Sequence, residues 1–364
     1  MRGVKVTFPA DLKKVATIDD GLVEGIMTYL GVIDKVSAIG SWSLKRDYNY
    51  DFETDSGVQY SHQGLNTMRY LHPTLNELPC FNSPQGDVIN FEVLANAAPE
   101  LVILRIGDCT VGESETEKAQ SIIDTINSLG IPLVVIYAPG YFGEAQLKTL
   151  KDEIEVVGDV FGMKNKASEL YSLVKSAEDL VRDRTSTIAD KDKSKVLYLG
   201  LNPDLKKSGA MGAAFGIDTP ESFVIEKLAN ATNAFQSKGH GVPLNLEKIY
   251  VLDPDVIILP TYNGYHPPRE LYEAAYFKDL RELRAISEKR VYALPWTPMN
   301  CARRLEYPLD ILITAKAAYP ERFKDINVYQ YALEFYQKVY GIDETTAKGL
   351  RSTQILDWMA DNGF

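Results

Sequence analysis

A chain of 364 residues, 45% of them hydrophobic, is long enough for two globular domains, each burying its own core. Its 39 basic residues are outnumbered by 50 acidic ones, giving a formal charge of -11, and no basic run interleaved with aromatics tracks a phosphate backbone; nucleic acid is excluded as a partner. No apolar run reaches the ~18 residues of a bilayer span, so the chain reads as soluble, and any leader or lipidated cysteine would have been removed from it.

In chain order, β-rich runs at Val15–Ile18 and Lys35–Ile39 come first. The segment from Tyr48 to Phe81 is polar and lacks a strong period, and is expected to form a flap that shapes a pocket. "VINFEVLANAAPELVILR" follows, Val88 to Arg105, in which Asn90 is placed to cap a helix, Glu92 sits in its first turn, and Pro99-Glu100 precede a buried strand. A helix over Glu117–Leu129, closed by "LGIP", leads to a strand at Leu133–Tyr137.

Apolar residues at 167, 170, 173, 174, 177, 180 and 181 then predict one amphipathic helix from Lys164 to about Thr187. Strand grammar resumes at "KVLYLGL" (Lys195–Leu201), Val256–Leu259 and "RVYALPW" (Arg290–Trp296), and the tail after Phe323 reads as two or three helices packed back on the core. Alternating strands and helices of this kind predict parallel α/β sheets.

The phrase "VPLNLEKIYVLDPDVIILP" (Val242 to Pro260) repeats the earlier one 155 positions on: Asn90 matches Asn245, Glu92 matches Glu247, and Glu100 matches Asp255. Tyr137-Ala138 and Tyr292-Ala293 keep the same offset, which implies two related lobes. The expected organisation is an N-terminal α/β lobe over 1–160, a linking helix over 161–190, a C-terminal α/β lobe over 191–318 and a helical extension over 319–364.

Enzyme signatures are missing. There is no G-x-S-x-G, no phosphate-binding glycine loop, no C-x-x-C and no H-E-x-x-H, and "GAMGAAFG" (Gly209–Gly216) reads as a flexible or closely packed turn. Cys80, Cys109 and Cys301 are too scattered for a disulfide framework or a zinc site, and Cys80 and Cys109 pair only if the fold brings them together. His62, His72, His240 and His266 show no metal-ligand spacing, so metal ligands stay unassigned.

The repeated phrase, the long central helix, "LRELRAISEKRVYALP" before the last strand and "EYPLDILITAKAAYPERF" (Glu306–Phe323) after it resemble, in order and spacing, the substrate-binding proteins of ABC importers for ferric siderophores, haem and cobalamin. The resemblance runs from about Val6 to Phe323. It implies two Rossmann-like lobes joined by a single long α-helix, with a ligand cleft between them and modest closure on binding. It also implies a monomeric, extracytoplasmic protein, periplasmic or lipid-anchored. No catalytic residue and no resident cofactor are expected; the ligand is read first as an iron(III) complex, with cobalamin, haem or a free metal ion, or a surface metal or haem receptor without a transporter, as the alternatives. Glu92 and Glu247 would dock on arginines of the two permease subunits, one from each lobe.

Ligands of open α/β sheets bind at the carboxyl ends of strands. The candidate ligand-binding residues are therefore Trp42, Lys45, Arg46, Tyr48, Arg69 and Arg105 in the N-terminal lobe, and Tyr262, Tyr265, Trp296, Arg303 and Arg304 in the C-terminal lobe, with Lys206 and Lys207 nearby. Guanidinium, ammonium and aromatic groups suit an anionic chelate. Each has a plainer alternative: Tyr48 packs a loop, and Arg303 or Arg304 pairs with Glu306.

Overall fold

The computed structural model describes residues 1–82, 88–107, 110–112, 116–139, 149–261, 266–295 and 305–364. Its N-terminal half holds β1 (Val15–Ile18), β2 (Val36–Ile39), β3 (Asp47–Glu53), β4 (Gln59–Leu65), β5 (Leu101–Ile106) and β6 (Leu133–Tyr137). Four of these form a parallel sheet in the order β2-β1-β5-β6, and every residue of β1 and β5 is buried. Continuous burial is what helices on both faces of a parallel sheet produce, and it explains why these strands read as unbroken apolar runs.

The C-terminal half holds β7 (Lys195–Gly200), β8 (Gly212–Ala214), β9 (Thr232–Asn233), β10 (Val242–Leu244), β11 (Val256–Leu259) and β12 (Val291–Ala293). Strands β9, β7, β11 and β12 are parallel and repeat the order of the first sheet. The later part of β7 pairs instead with antiparallel β8, which is extended by β10.

The 155-residue echo is a structural repeat. Asn90 Oδ1 accepts the N–H groups of Glu92 and Val93 at 3.1 Å, and Asn245 Oδ1 accepts that of Lys248 at 2.9 Å, capping the helices Phe91–Ala97 and Leu246–Leu252. Both helices end on a left-handed residue, Ala98 (φ 44) and Asp253 (φ 37). The acid that follows then fastens the central strand of its own lobe: Glu100 accepts the Lys13 and Lys14 N–H groups at 2.5 and 3.1 Å, and Asp255 accepts that of Lys195 at 2.7 Å.

The linking helix is Lys164–Thr185, two residues short of the expected end. Its 22 residues span about 33 Å. Ala167, Leu170, Val174, Ala177 and Val181 form its buried stripe, against the N-lobe helix Thr149–Val160 and the C-lobe helix Tyr307–Ala318. Close approach requires Gly158, because a Cβ there would lie 2.4 Å from that of Ala167.

After Phe323 come helices Val328–Tyr340, Glu344–Thr353 and Trp358–Asp361. They bind both lobes. Gln354 accepts the Tyr336 hydroxyl at 2.7 Å and donates to Thr67 Oγ1 at 2.7 Å, the Tyr340 hydroxyl donates to Glu306 at 2.6 Å, and Trp358 and Phe364 pack on Tyr292 of β12. Among the described residues no helix is long and apolar enough to cross a membrane.

Candidate functional site

The carboxyl ends of β1 and β5 meet in a buried ionic cluster. Arg105 is fully buried: Nε donates to Glu153 Oε2 at 2.5 Å, Nη2 to Oε1 at 3.3 Å, and Nη1 lies 3.5 Å from Asp19 Oδ1. Asp19 in turn accepts the N–H groups of Gly21 and Val23 at 2.9 and 2.8 Å, at the start of helix Leu22–Leu30. This corrects the expectation that Arg105 lines the cleft: β5 is covered on both faces, so its fifth residue points into the core, where the fork is taken by two carboxylates. Glu24, also fully buried, has its carboxyl pushed well up by burial and then by Asp19. Burial likewise raises Glu153, to about 7, against the opposing pull of Arg105.

The other N-lobe candidates follow β2. Trp42 opens a short 3-10 turn, Trp42–Leu44, and is half-buried. Lys45 Nζ donates to the carbonyls of Asn76 and Leu78 at 2.9 and 2.6 Å, and Arg69 pairs with Asp47 at 2.8 Å and donates to the Lys45 carbonyl. Both cations are committed to protein partners. Arg46 is exposed, and the Tyr48 side chain lies outside the description.

In the C-terminal lobe, Lys206 and His266 converge on one buried carboxylate. Lys206 Nζ lies 2.5 Å from Glu270 Oε1, His266 Nδ1 lies 2.8 Å from Oε2, and the ammonium sits over the Phe277 ring at 5.0 Å. Burial alone would raise the Glu270 carboxyl; His266 and then Lys206 outweigh it and hold it below the usual range. Lys207 pairs with Asp204 at 2.7 Å on the surface. Tyr262, Tyr265, Trp296, Arg303 and Arg304 lie outside the described residues, as does Cys109; Cys80 is a free, half-buried thiol. Among the described residues no group of three His, Cys, Asp or Glu is placed to hold a metal ion.

Glu92 and Glu247 are exposed in the first turns of their matched helices, and neither makes an ion pair with a described residue. Two features escaped sequence reasoning. One is the acid cluster, whose only trace was "DD" directly after a buried strand. The other is the antiparallel hairpin β3–β4 within the segment expected to be an irregular flap.

Residues 80–296 match the family described as periplasmic binding protein. The chain belongs to that family. Among curated relatives, the molybdate-binding protein MolA of Haemophilus influenzae is 25% identical over 278 residues, 70% of this chain and 71% of that one. The ABC transporter substrate-binding lipoprotein YvrC of Bacillus subtilis is 25% identical over 246 residues, 66% of this chain and 68% of its own length.

Among solved structures, a periplasmic solute-binding protein from Veillonella parvula superposes with a TM-score of 0.74 at 20% identity, covering 100% of this chain and 97% of the other. Molybdate-bound MolA gives 0.66 at 21% identity, covering 93% and 96%. These likenesses establish the bilobal fold of the periplasmic binding proteins here. The family comprises transport components that bind solutes.

Proposed function

We propose that this solute-binding protein captures a metal-centred anion in the cleft between its lobes, outside the cytoplasm, and as a monomer presents it to the permease dimer of an ABC importer. The observation that carries the hand-over is the pair Glu92 and Glu247: exposed, without ion-pair partners among the described residues, and at equivalent first-turn positions of two repeated helices. A two-fold partner with one cationic socket per half would engage both at once.

For the cargo, an iron(III) chelate of the siderophore type is the first reading. In sequence, Tyr262 and Tyr265 follow β11, and Trp296, Arg303 and Arg304 follow β12; their rings and guanidinium groups are the chemistry that suits such a chelate. A second reading, a compact oxometallate, is favoured by two observations: a relative named for molybdate binding, and the commitment of Lys45, Arg69 and Arg105 to protein partners, which leaves less charge in the N-terminal lobe for a large polyanion.

A thermal-shift screen of ligand-stripped protein separates these readings, using ferric catecholates, ferric hydroxamates, ferric citrate, haemin, cobalamin, molybdate, tungstate and free metal salts. A ligand at about 100 times its Kd stabilises the fold by about 2.7 kcal/mol. Stabilisation by a ferric chelate supports the first reading, and by molybdate or tungstate the second. Stabilisation by free metal ions alone would overturn both.

A further inference from the structure

The β3–β4 hairpin leaves the N-terminal lobe at the carboxyl end of β2 and ends on the C-terminal lobe. Thr54, at its turn, makes an isolated antiparallel bridge with Ala274. Its neighbour Asp55 pairs with Arg281, whose Nη2 also donates to the Ala274 carbonyl at 3.1 Å. Further along β4 the Arg269 guanidinium lies over the Tyr60 ring, 4.5 Å from its centroid. Tyr60 in turn packs on buried Phe52 at 5.1 Å.

The receiving segment follows β11 and is rigidly held. Glu270 is gripped by Lys206 and His266, and the Tyr276 hydroxyl donates to the carbonyls of Lys206 and Ala210 at 3.2 and 2.9 Å. At its base the hairpin runs into helix Thr67–Leu71, which the C-terminal extension fixes through Gln354 and through Gly349 against Tyr70. Between base and tip, β3 and β4 pair only with each other among the described strands.

An isolated two-stranded hairpin is marginal in water, so its order depends on what it docks against. Here that support comes from Phe52, buried in the main core, from helix Glu344–Thr353 beside β4, and at the tip from the opposite lobe through one ion pair, one cation–π contact and a single bridge, the three tip contacts being individually weak. We infer that the hairpin is a latch across the mouth of the interlobe cleft: fastened it holds the lobes together, and when the lobes part its tip releases and its strands loosen. Its base follows the carboxyl end of β2, and its tip rests on the segment that runs from β11 to β12.

The test needs no ligand, so its failure is separable from failure of the cargo reading. Amide hydrogen exchange over 47–65 is measured in the full chain for wild type, Asp55→Ala, the pair Arg269→Ala/Arg281→Ala, and the charge swap Asp55→Arg/Arg281→Asp. Interlobe distance is read in parallel from spin labels at Asn96→Cys and Val251→Cys, exposed equivalents on the two lobes, with Cys80, Cys109 and Cys301 replaced by Ser.

The latch requires exchange over 47–65 about fivefold faster in the alanine variants, reversed by the swap, together with a longer interlobe distance. It also requires salt to speed exchange in this segment more than elsewhere. Faster exchange at unchanged distance would show a fraying ornament on a rigid body, and unchanged exchange would show a static wall. Either result overturns the latch.

Discussion

Arg105 shows how a residue type misleads without its neighbours. An arginine at the end of a strand in an α/β lobe is a reasonable candidate for an anionic ligand, but its Nε, Nη2 and Nη1 are taken by Glu153 and Asp19 in a site without solvent. The cluster has a pH signature. Glu153 is raised from its ordinary 4.5 to about 7, chiefly by burial, with Asp19 and Asp152 adding to the rise and Arg105 opposing it. A carboxyl held above its unfolded value contributes stability that is complete below about 4.5 and lost as pH rises through about 7. Urea unfolding at pH 5 and pH 7 should therefore show Glu153→Gln losing less stability across that interval than wild type. Equal losses would place the Glu153 proton elsewhere.

At the scale of elements, the strands and the long helix were legible because their patterns are local. Val15–Ile18, Leu133–Tyr137 and Val256–Leu259 lie where the apolar runs put them, and the linking helix follows its own stripe. The caps were legible too, since Asn90 and Asn245 act within three residues. The hairpin was legible only in part. Tyr48, Tyr50 and Phe52 alternate with Asp47, Asn49, Asp51 and Glu53, the period of a half-solvated strand, but the polar stretch around them masked it, and the docking surface, more than 200 positions away, leaves no mark in the local pattern. The C-terminal helices were expected, but not that they clasp both lobes. Gly349 tests that clasp: a Cβ there would lie 1.9 Å from the Tyr70 hydroxyl. Gly349→Ala should be less stable by about 1 kcal/mol in the Tyr70 chain than in a Tyr70→Phe chain, a comparison in which the ~1 kcal/mol that alanine gains over glycine inside a helix cancels. An equal effect of Gly349→Ala in both chains would show the clasp to be loose.

For the molecule as a whole, two lobes of one plan, tied by a helix, a hairpin and a C-terminal clasp, carry one exposed glutamate each. Charge reversal at both, Glu92→Lys with Glu247→Lys, should reduce uptake through the cognate permease about tenfold or more, while the thermal shift given by the cargo stays as in wild type. Unimpaired uptake would remove these residues from the docking surface.

What the sequence determined by itself was whatever is written within a few residues or copied at a constant offset: the β/α alternation, the caps, the linking helix, and the duplication that makes Glu92 and Glu247 a pair. Tertiary structure alone decided which charges are spent. Lys45, Arg69, Arg105 and Lys206 all look like ligand cations in the chain and are all matched by carbonyls or carboxylates in the fold. The physical reason is that the groups within about 4 Å of a cation take up its hydrogen bonds, and for three of these four they include a carboxylate 22 to 64 positions away along the chain.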